Sequence, residues 1–289
     1  MSRKTARLIG NRTTCKFLLY SQVMVASQKL VGNIPIAATS VLAKDTTAAK
    51  NIVFIHMSWG GMWAFDYYIK FFVQAGYNAH ALDLRGHGKS GGSVSGATMQ
   101  DYVDDIRTVI IELRIQNTII IGHSMGGLIA LMYSAQYGSL ATVSLDGSPT
   151  LEAQETSERK KYPASYTPQD SGMPTNPIKA MFMLPDIYPW CLMKMKKKLK
   201  TESGVARSER KKGVSVPKER LKQPLLFIGA EKGISLPFGI GIEKARIQAN
   251  YYGAPVIEIK GATHPGLLIG KYWKDSAKAI LSWLRENNL

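Results

Sequence analysis

Two apolar rhythms alternate along the chain. Short runs of β-branched and aliphatic residues stand at 51–55 (NIVFI), 77–82 (YNAHAL), 117–121 (NTIII), 141–145 (ATVSL), 224–228 (PLLFI) and 255–259 (PVIEI). Such runs, bounded by turn residues, predict buried strands. Between them, apolar positions recur every three or four residues. In TMQDYVDDIRTVIIEL (98–113), Met99, Val103, Ile106, Ile110 and Leu113 share one helical face. Thr98, with Asp101 three positions on, gives that helix a start resembling a capping box. A helix over 243–252 stops at Gly253, a residue suited to a C-cap. A last helix over 272–286 presents Trp273, Ala277, Ile280 and Leu284 on one stripe. Strand and helix in alternation predict an α/β fold, a mostly parallel sheet with helices on both faces. Residues 17–25 and 34–43 are expected to add an antiparallel pair at one edge.

One region breaks the rhythm. Residues 150–222 are rich in Pro, Met, Lys and Arg and contain no strand-like run. They fall between two core strands, so they predict an insertion above the sheet. The chain divides into a basic N-terminal segment with edge strands (1–45), a core (46–149 and 223–289) and a basic insertion (150–222).

Composition adds bounds. In 289 residues, 45% are hydrophobic and 20% charged. This is ordinary globular composition, and a core of that size needs no staples. Cys15 and Cys191 stand in no metal-ligand spacing and cannot form a disulfide framework, so inert thiols are expected. The net charge of +16 is uneven. Residues 1–44 hold seven Lys or Arg and no acid, and residues 194–222 hold twelve against Glu202, Glu209 and Glu219. Such runs either solvate a surface or attract anionic partners. No nucleic-acid motif accompanies them, and a nucleic-acid partner is not expected. No segment approaches the roughly 20 apolar residues that span a bilayer. The patch FLLYSQVMVA (17–26) fits a strand as well as a signal, and a basic, acid-free leader also fits a transit peptide. No cleaved signal and a cytoplasmic location, with membrane association, are the expectation.

Candidate chemistry begins at TIIIGHSMGG (118–127), where an apolar run ends in a serine between glycines and a helical pattern follows. G-x-S-x-G between strand and helix is the arrangement that lifts a nucleophilic hydroxyl above a sheet. The turn at Ser124 must be sharp, and side chains at Gly122 or Gly126 would collide there. The helix start behind it carries partial positive charge, which places the Met125 N–H to bind an oxyanion.

Residues 50 to 289 resemble the α/β-hydrolase fold superfamily, in particular its lysophospholipase- and esterase-like serine hydrolases. The resemblance rests on HMSWGGMWAFDYYIKFFVQAGYNAHALDLRGHGKS (56–90), on GHSMGG, and on PLLFIGAEKG followed by VIEIKGATHPGLL. It implies an α/β-hydrolase fold with a cap inserted after the sixth strand, here the basic 150–222 segment. It also implies a triad in the order serine, acid, histidine. Of His56, His80, His87, His123 and His264, only His264 follows Ser124. His264 is therefore the expected base. His56 and His123 are expected to brace loops, and His80 and His87 to be structural. The second oxyanion donor is expected to be the Ser58 N–H, although Met57 stands where such proteins carry glycine.

The acid departs from the pattern. The loop after PLLFI reads GAEKGISLP, and the expected carboxylate position holds Gly233. Asp146, at the end of ATVSL, is the preferred substitute; Glu231 and no acid at all stay open, while Asp83 is expected to hold its own loop. The implied activity is cleavage of a small-molecule carboxylic ester through an acyl-enzyme on Ser124, a lysophospholipid or another acyl ester being the substrate. No metal or organic cofactor is implied. The Met- and Lys-rich stretch 179–200 suits an acyl chain below and an anionic membrane surface above. The alternative is a weakly active or non-catalytic member that binds a lipid or partner through the cap. Lyase or peroxidase chemistry at the same site is a third reading.

Overall fold

The apolar runs become strands because β-branched side chains fill both faces of a sheet that helices cover. The computed structural model describes residues 26–44, 50–154, 157, 160–234 and 241–289. Its first half runs β1 Ala26–Val31, β2 Ile36–Val41, β3 Asn51–Ile55, α1 Asp66–Gln74, β4 Asn78–Leu82, α2 Met99–Glu112, β5 Thr118–His123, α3 Met125–Tyr137 and β6 Ala141–Leu145. Then come β7 Ser165–Tyr166, α4 Pro177–Met183, α5 Pro189–Lys198, β8 Glu202–Ser203 and α6 Gly204–Lys212. The chain closes with β9 Leu225–Ala230, α7 Ile242–Tyr252, β10 Val256–Ile259, α8 Gly266–Ile269 and α9 Trp273–Glu286.

Eight strands form one sheet in the order β1-β2-β4-β3-β5-β6-β9-β10, parallel from β4 to β10. The edge pair is antiparallel as expected, but the partner of β2 is β1; residues 17–25 lie outside the described residues. Alternate strand residues part to opposite faces. Ile52, Phe54, Ile121, Val143 and Ile228 pack with Tyr68 and Phe72 of α1 and Ile280 and Leu284 of α9. Val53, Ile55, Ile120 and Phe227 pack with α2, α3 and α7 through Val103, Ile106, Leu128 and Ala245. Thr98 caps α2 in a full capping box with Asp101, and α7 ends on Gly253 at φ 64°. Helix α3 lies under the centre of the sheet and buries every residue from Met125 to Ser134.

Between β6 and β9 the inserted residues carry α4, α5, α6 and the two-stranded ribbon β7-β8, which the sequence did not signal. Cys191, on α5, is buried and disulfide-bonded rather than the inert thiol expected; Cys15 lies outside the described residues. Among the described residues no helix is long and apolar enough to cross a membrane.

Candidate active site

Strand β5 delivers Ser124 to the C-terminal edge of the sheet, where open α/β sheets place their sites. Ser124 holds φ 58° and ψ −119°, a conformation side chains rarely adopt. The glycines around it permit that turn. A Cβ on Gly122 would lie 1.9 Å from the Gly126 carbonyl oxygen, and one on Gly126 would lie 2.3 Å from that of Ile55. The turn is tied to the neighbouring strand: Ser124 N donates to Leu145 O (3.1 Å), and Ser148 N donates to Ser124 O (2.9 Å).

Asp146 follows β6 directly, also at positive φ (46°), and its N–H donates to Ile228 O of β9 (2.6 Å). Its buried carboxylate meets His264: Oδ2 lies 2.5 Å from Nδ1. The loop that brings His264 is held on three sides. His264 N donates to Gly233 O (3.2 Å), and the His123 ring packs against its ring at a tilt of 32°, with His123 Nε2 on His264 O at 3.0 Å. From the inserted segment, Asp186 accepts from Thr263 N (2.9 Å) and Thr263 Oγ1 (2.6 Å). Gly233 pairs with Thr263 in an isolated bridge, so the position that lacks a carboxylate does sit beside the histidine loop. Glu231 is spent elsewhere, accepting from Gly261 N at 2.6 Å. Among the described residues the Ser124 hydroxyl makes no side-chain hydrogen bond, to His264 or otherwise.

Ser58 and Met125 face each other across the site, Ser58 Oγ lying 3.4 Å from Met125 Sδ. Met57 stays out of the left-handed region. That conformation falls on Trp59 (φ 61°), inside a turn closed by Gly60 N to Met57 O (3.1 Å). Methionine is therefore compatible with the loop. His56 braces it, Nδ1 against Met57 O (2.7 Å) and Nε2 accepting from Leu84 N (3.1 Å). Burial, then the His87 charge, lowers His56 to about 3, so it stays neutral. His123 is likewise held well below its ordinary value by burial and then by His264. Asp83 does hold its own loop, accepting from Met62 N and Lys89 N. His80 is tied to Ser40 and Asn51 in the sheet.

Sequence reasoning missed one cluster. Glu202 of β8 is fully buried and lies 3.3 Å from His87 Nε2, an ion pair when His87 is protonated. Its carboxylate also accepts from Tyr102 Oη (2.6 Å) and Trp59 N (3.3 Å), so it grips the loop that carries Ser58. Burial alone would raise this carboxyl, but the His87 charge, the Tyr102 hydroxyl and the Arg210 charge bring it down to about 2. Burial opposes a charged His87, yet Glu202 lifts its pKa above the ordinary value. Arg210 of α6 reaches Ser58 Oγ (3.1 Å), Tyr166 Oη (3.2 Å) and Ser148 Oγ (3.4 Å). These partners are 44 to 152 positions apart in sequence, so spacing gives no signal for them.

Comparison with known proteins now bears on the site. The family model described as serine aminopeptidase, S33, matches residues 46–203. The chain belongs to this family of α/β hydrolases. It is 28% identical over 237 residues to the monoacylglycerol lipase of Mycolicibacterium smegmatis, covering 74% of this chain and 80% of that protein. It is 41% identical over 96 residues to the non-heme chloroperoxidase of Burkholderia pyrrocinia, covering 32% of this chain and 34% of that protein. With several other curated relatives, too, the match spans only about a third of their length. The solved esterase of Exiguobacterium antarcticum superposes with a TM-score of 0.68 at 18% identity, covering 90% of this chain and 99% of that one. At that identity the likeness concerns the fold.

Proposed function

We propose that the protein is a serine hydrolase of carboxylic esters that works through an acyl-enzyme on Ser124. The observation that carries this reading is the 2.5 Å contact of Asp146 Oδ2 with His264 Nδ1 beside the strained turn at Ser124. The Nδ1 proton held by Asp146 leaves Nε2 free to take the Ser124 proton as Oγ attacks the ester carbonyl. The negative charge that develops on the carbonyl oxygen is met by the N–H groups of Met125 and Ser58. His264 returns the proton to the departing alkoxide, then activates water to release the acid and regenerate Ser124. Asp146 keeps the imidazole in one tautomer and stabilises its charge throughout.

A lipid-like acyl ester is the substrate class that fits best. One relative is named a monoacylglycerol lipase. Helices α4 and α5, in the cap we assign to residues 150–222, expose Phe182 (82%), Trp190 and Met193 beside Lys194, Lys196 and Lys197. An apolar and basic face of this kind suits an anionic membrane surface. Sedimentation with phosphatidylglycerol vesicles, but not with phosphatidylcholine vesicles, is expected, and Phe182→Asp should weaken it. Equal binding to both, or to neither, would remove the membrane surface from the reading.

Labelling by a fluorescent fluorophosphonate tests the chemistry. The label should vanish in Ser124→Ala and His264→Ala and fall strongly in Asp146→Asn. A folded wild type that takes no label and turns over no ester would overturn the reading. A non-catalytic protein would be indicated by a missing acid or by an oxyanion loop that Met57 distorts. With Met57 outside the left-handed region and Asp146 on the imidazole, neither of these features supports it.

A further inference from the structure

Arg210 is half-buried above the site, and its surroundings are unusual for a guanidinium. Its three hydrogen-bonding partners, Ser58, Ser148 and Tyr166, are neutral hydroxyls. Its Nε is buried and donates to nothing. Among the described residues no carboxylate lies within ion-pair distance of it. The acid that feels its charge, Glu202, is already committed to His87, Tyr102 and the N–H groups of Trp59 and Ser203. Other arginines of the region are engaged differently. Arg85 is paired with Asp101 and Asp105, and Arg207 lies over the rings of Tyr162 and Tyr166.

The location gives this charge a purpose. Ser58 belongs to the loop across the site from Met125, and Ser148 donates through its backbone to Ser124 O. Arg210 thus bridges the two loops that flank the nucleophile. A guanidinium stays charged at every physiological pH, and partial burial without a counter-charge is costly. Hydroxyls satisfy its donors without neutralising it. An anion on the substrate would do both, and a fork of N–H groups suits the paired oxygens of a carboxylate or phosphate.

We infer that Arg210 is a specificity-determining residue that selects esters carrying a carboxylate or phosphate near the scissile carbonyl. The inference rests on the ester-hydrolase reading and narrows its substrate class. The anion can lie on either side of the scissile bond, so two pairs of short esters serve as probes. Mono-p-nitrophenyl succinate against p-nitrophenyl butyrate places a carboxylate on the acyl side. 1-Butyrylglycerol 3-phosphate against 1-butyrylglycerol places a phosphate on the leaving group.

The readout is the ratio of kcat/KM, charged over neutral, within each pair. This ratio is independent of any loss of folded enzyme. In the wild type, one pair at least should give a ratio of about ten or more, the size of a charge-assisted contact. Which pair does so distinguishes carboxylate from phosphate. In Arg210→Gln the ratio should fall to about one, the change lying mainly in KM. In Arg210→Lys, which keeps the charge and loses the fork, it should be intermediate. Ratios near one in the wild type, or a preference that survives both substitutions, would overturn the inference while neutral-ester turnover leaves the hydrolase reading standing. No turnover of any probe would overturn both.

Discussion

Ser124 and Asp146 both sit at positive φ, at 58° and 46°, on the ends of adjacent strands. Strain of this kind persists only where the surrounding structure over-determines it, and here backbone bonds between the two strand ends do so. The role proposed for Asp146 has two consequences at this scale. Asp146→Asn should lower kcat by about two to four orders of magnitude, whereas Glu231→Gln should leave kcat within about twofold, since Glu231 serves Gly261. Steady-state kinetics on a chromogenic ester separates the two. The second consequence is a transplant. Gly233 lies against Thr263 at φ 50°, which aspartate tolerates better than most residues. Gly233→Asp placed in the Asp146→Asn background should recover part of the lost kcat. No recovery would mean that a carboxylate there does not reach the imidazole.

Among the elements, the loop that carries His264 depends on the inserted segment. Asp186 holds Thr263 through both N–H and hydroxyl, while buried itself. Asp186→Ala leaves both donors unpaired and should cost about 2 kcal/mol of stability. The same change should lower kcat more than it raises KM, because it loosens the loop of the proposed base, His264, rather than the binding surface. Thermal unfolding and kinetics on one preparation check both effects. At this scale most of the fold was legible. Strands β3, β4, β5, β6 and β9 announced themselves because strands buried on both faces read as short, largely apolar runs, while β10, partly exposed at the edge, showed through its β-branched residues. The first edge strand did not, because ASQKLV is exposed along nearly its whole length and carries no pattern. The ribbon β7-β8 has two residues per strand, too few for any periodicity. Ser124 and His264 could be read from local motifs. Asp146 could be named only among alternatives, since its contact with His264 spans 118 positions.

In the whole molecule, the inserted segment is joined to the loop after β4 by the buried contact of Glu202 with His87, an ion pair when His87 is protonated, and not by apolar packing alone. Glu202→Ala strands His87 in the interior and should cost about 3 to 5 kcal/mol. The pH dependence has a defined sign. His87, raised in the fold, contributes fully below about 6.5, and the contribution is lost as pH rises through its raised value. Glu202, lowered to about 2, contributes above about 4.5, and the contribution is lost as pH falls through about 2. The stability gap between wild type and Glu202→Ala should therefore be widest between about pH 4.5 and 6.5. A series of urea unfolding curves across pH measures it, and a gap that does not change with pH would deny the pair its charge. No such cluster could be read from sequence, because Glu202 and Arg210 are two charges in a segment full of them. The placement of Asp146 has an outcome for how such a protein can change. With the proposed nucleophile and acid hung on neighbouring strands, the described residues after β9, 231–234, meet the histidine loop through backbone bonds and the Glu231 carboxylate and hold no part of the proposed triad. On that arrangement the chemistry asks for no particular side chain at Gly233, so a change of residue there is constrained by its backbone conformation alone.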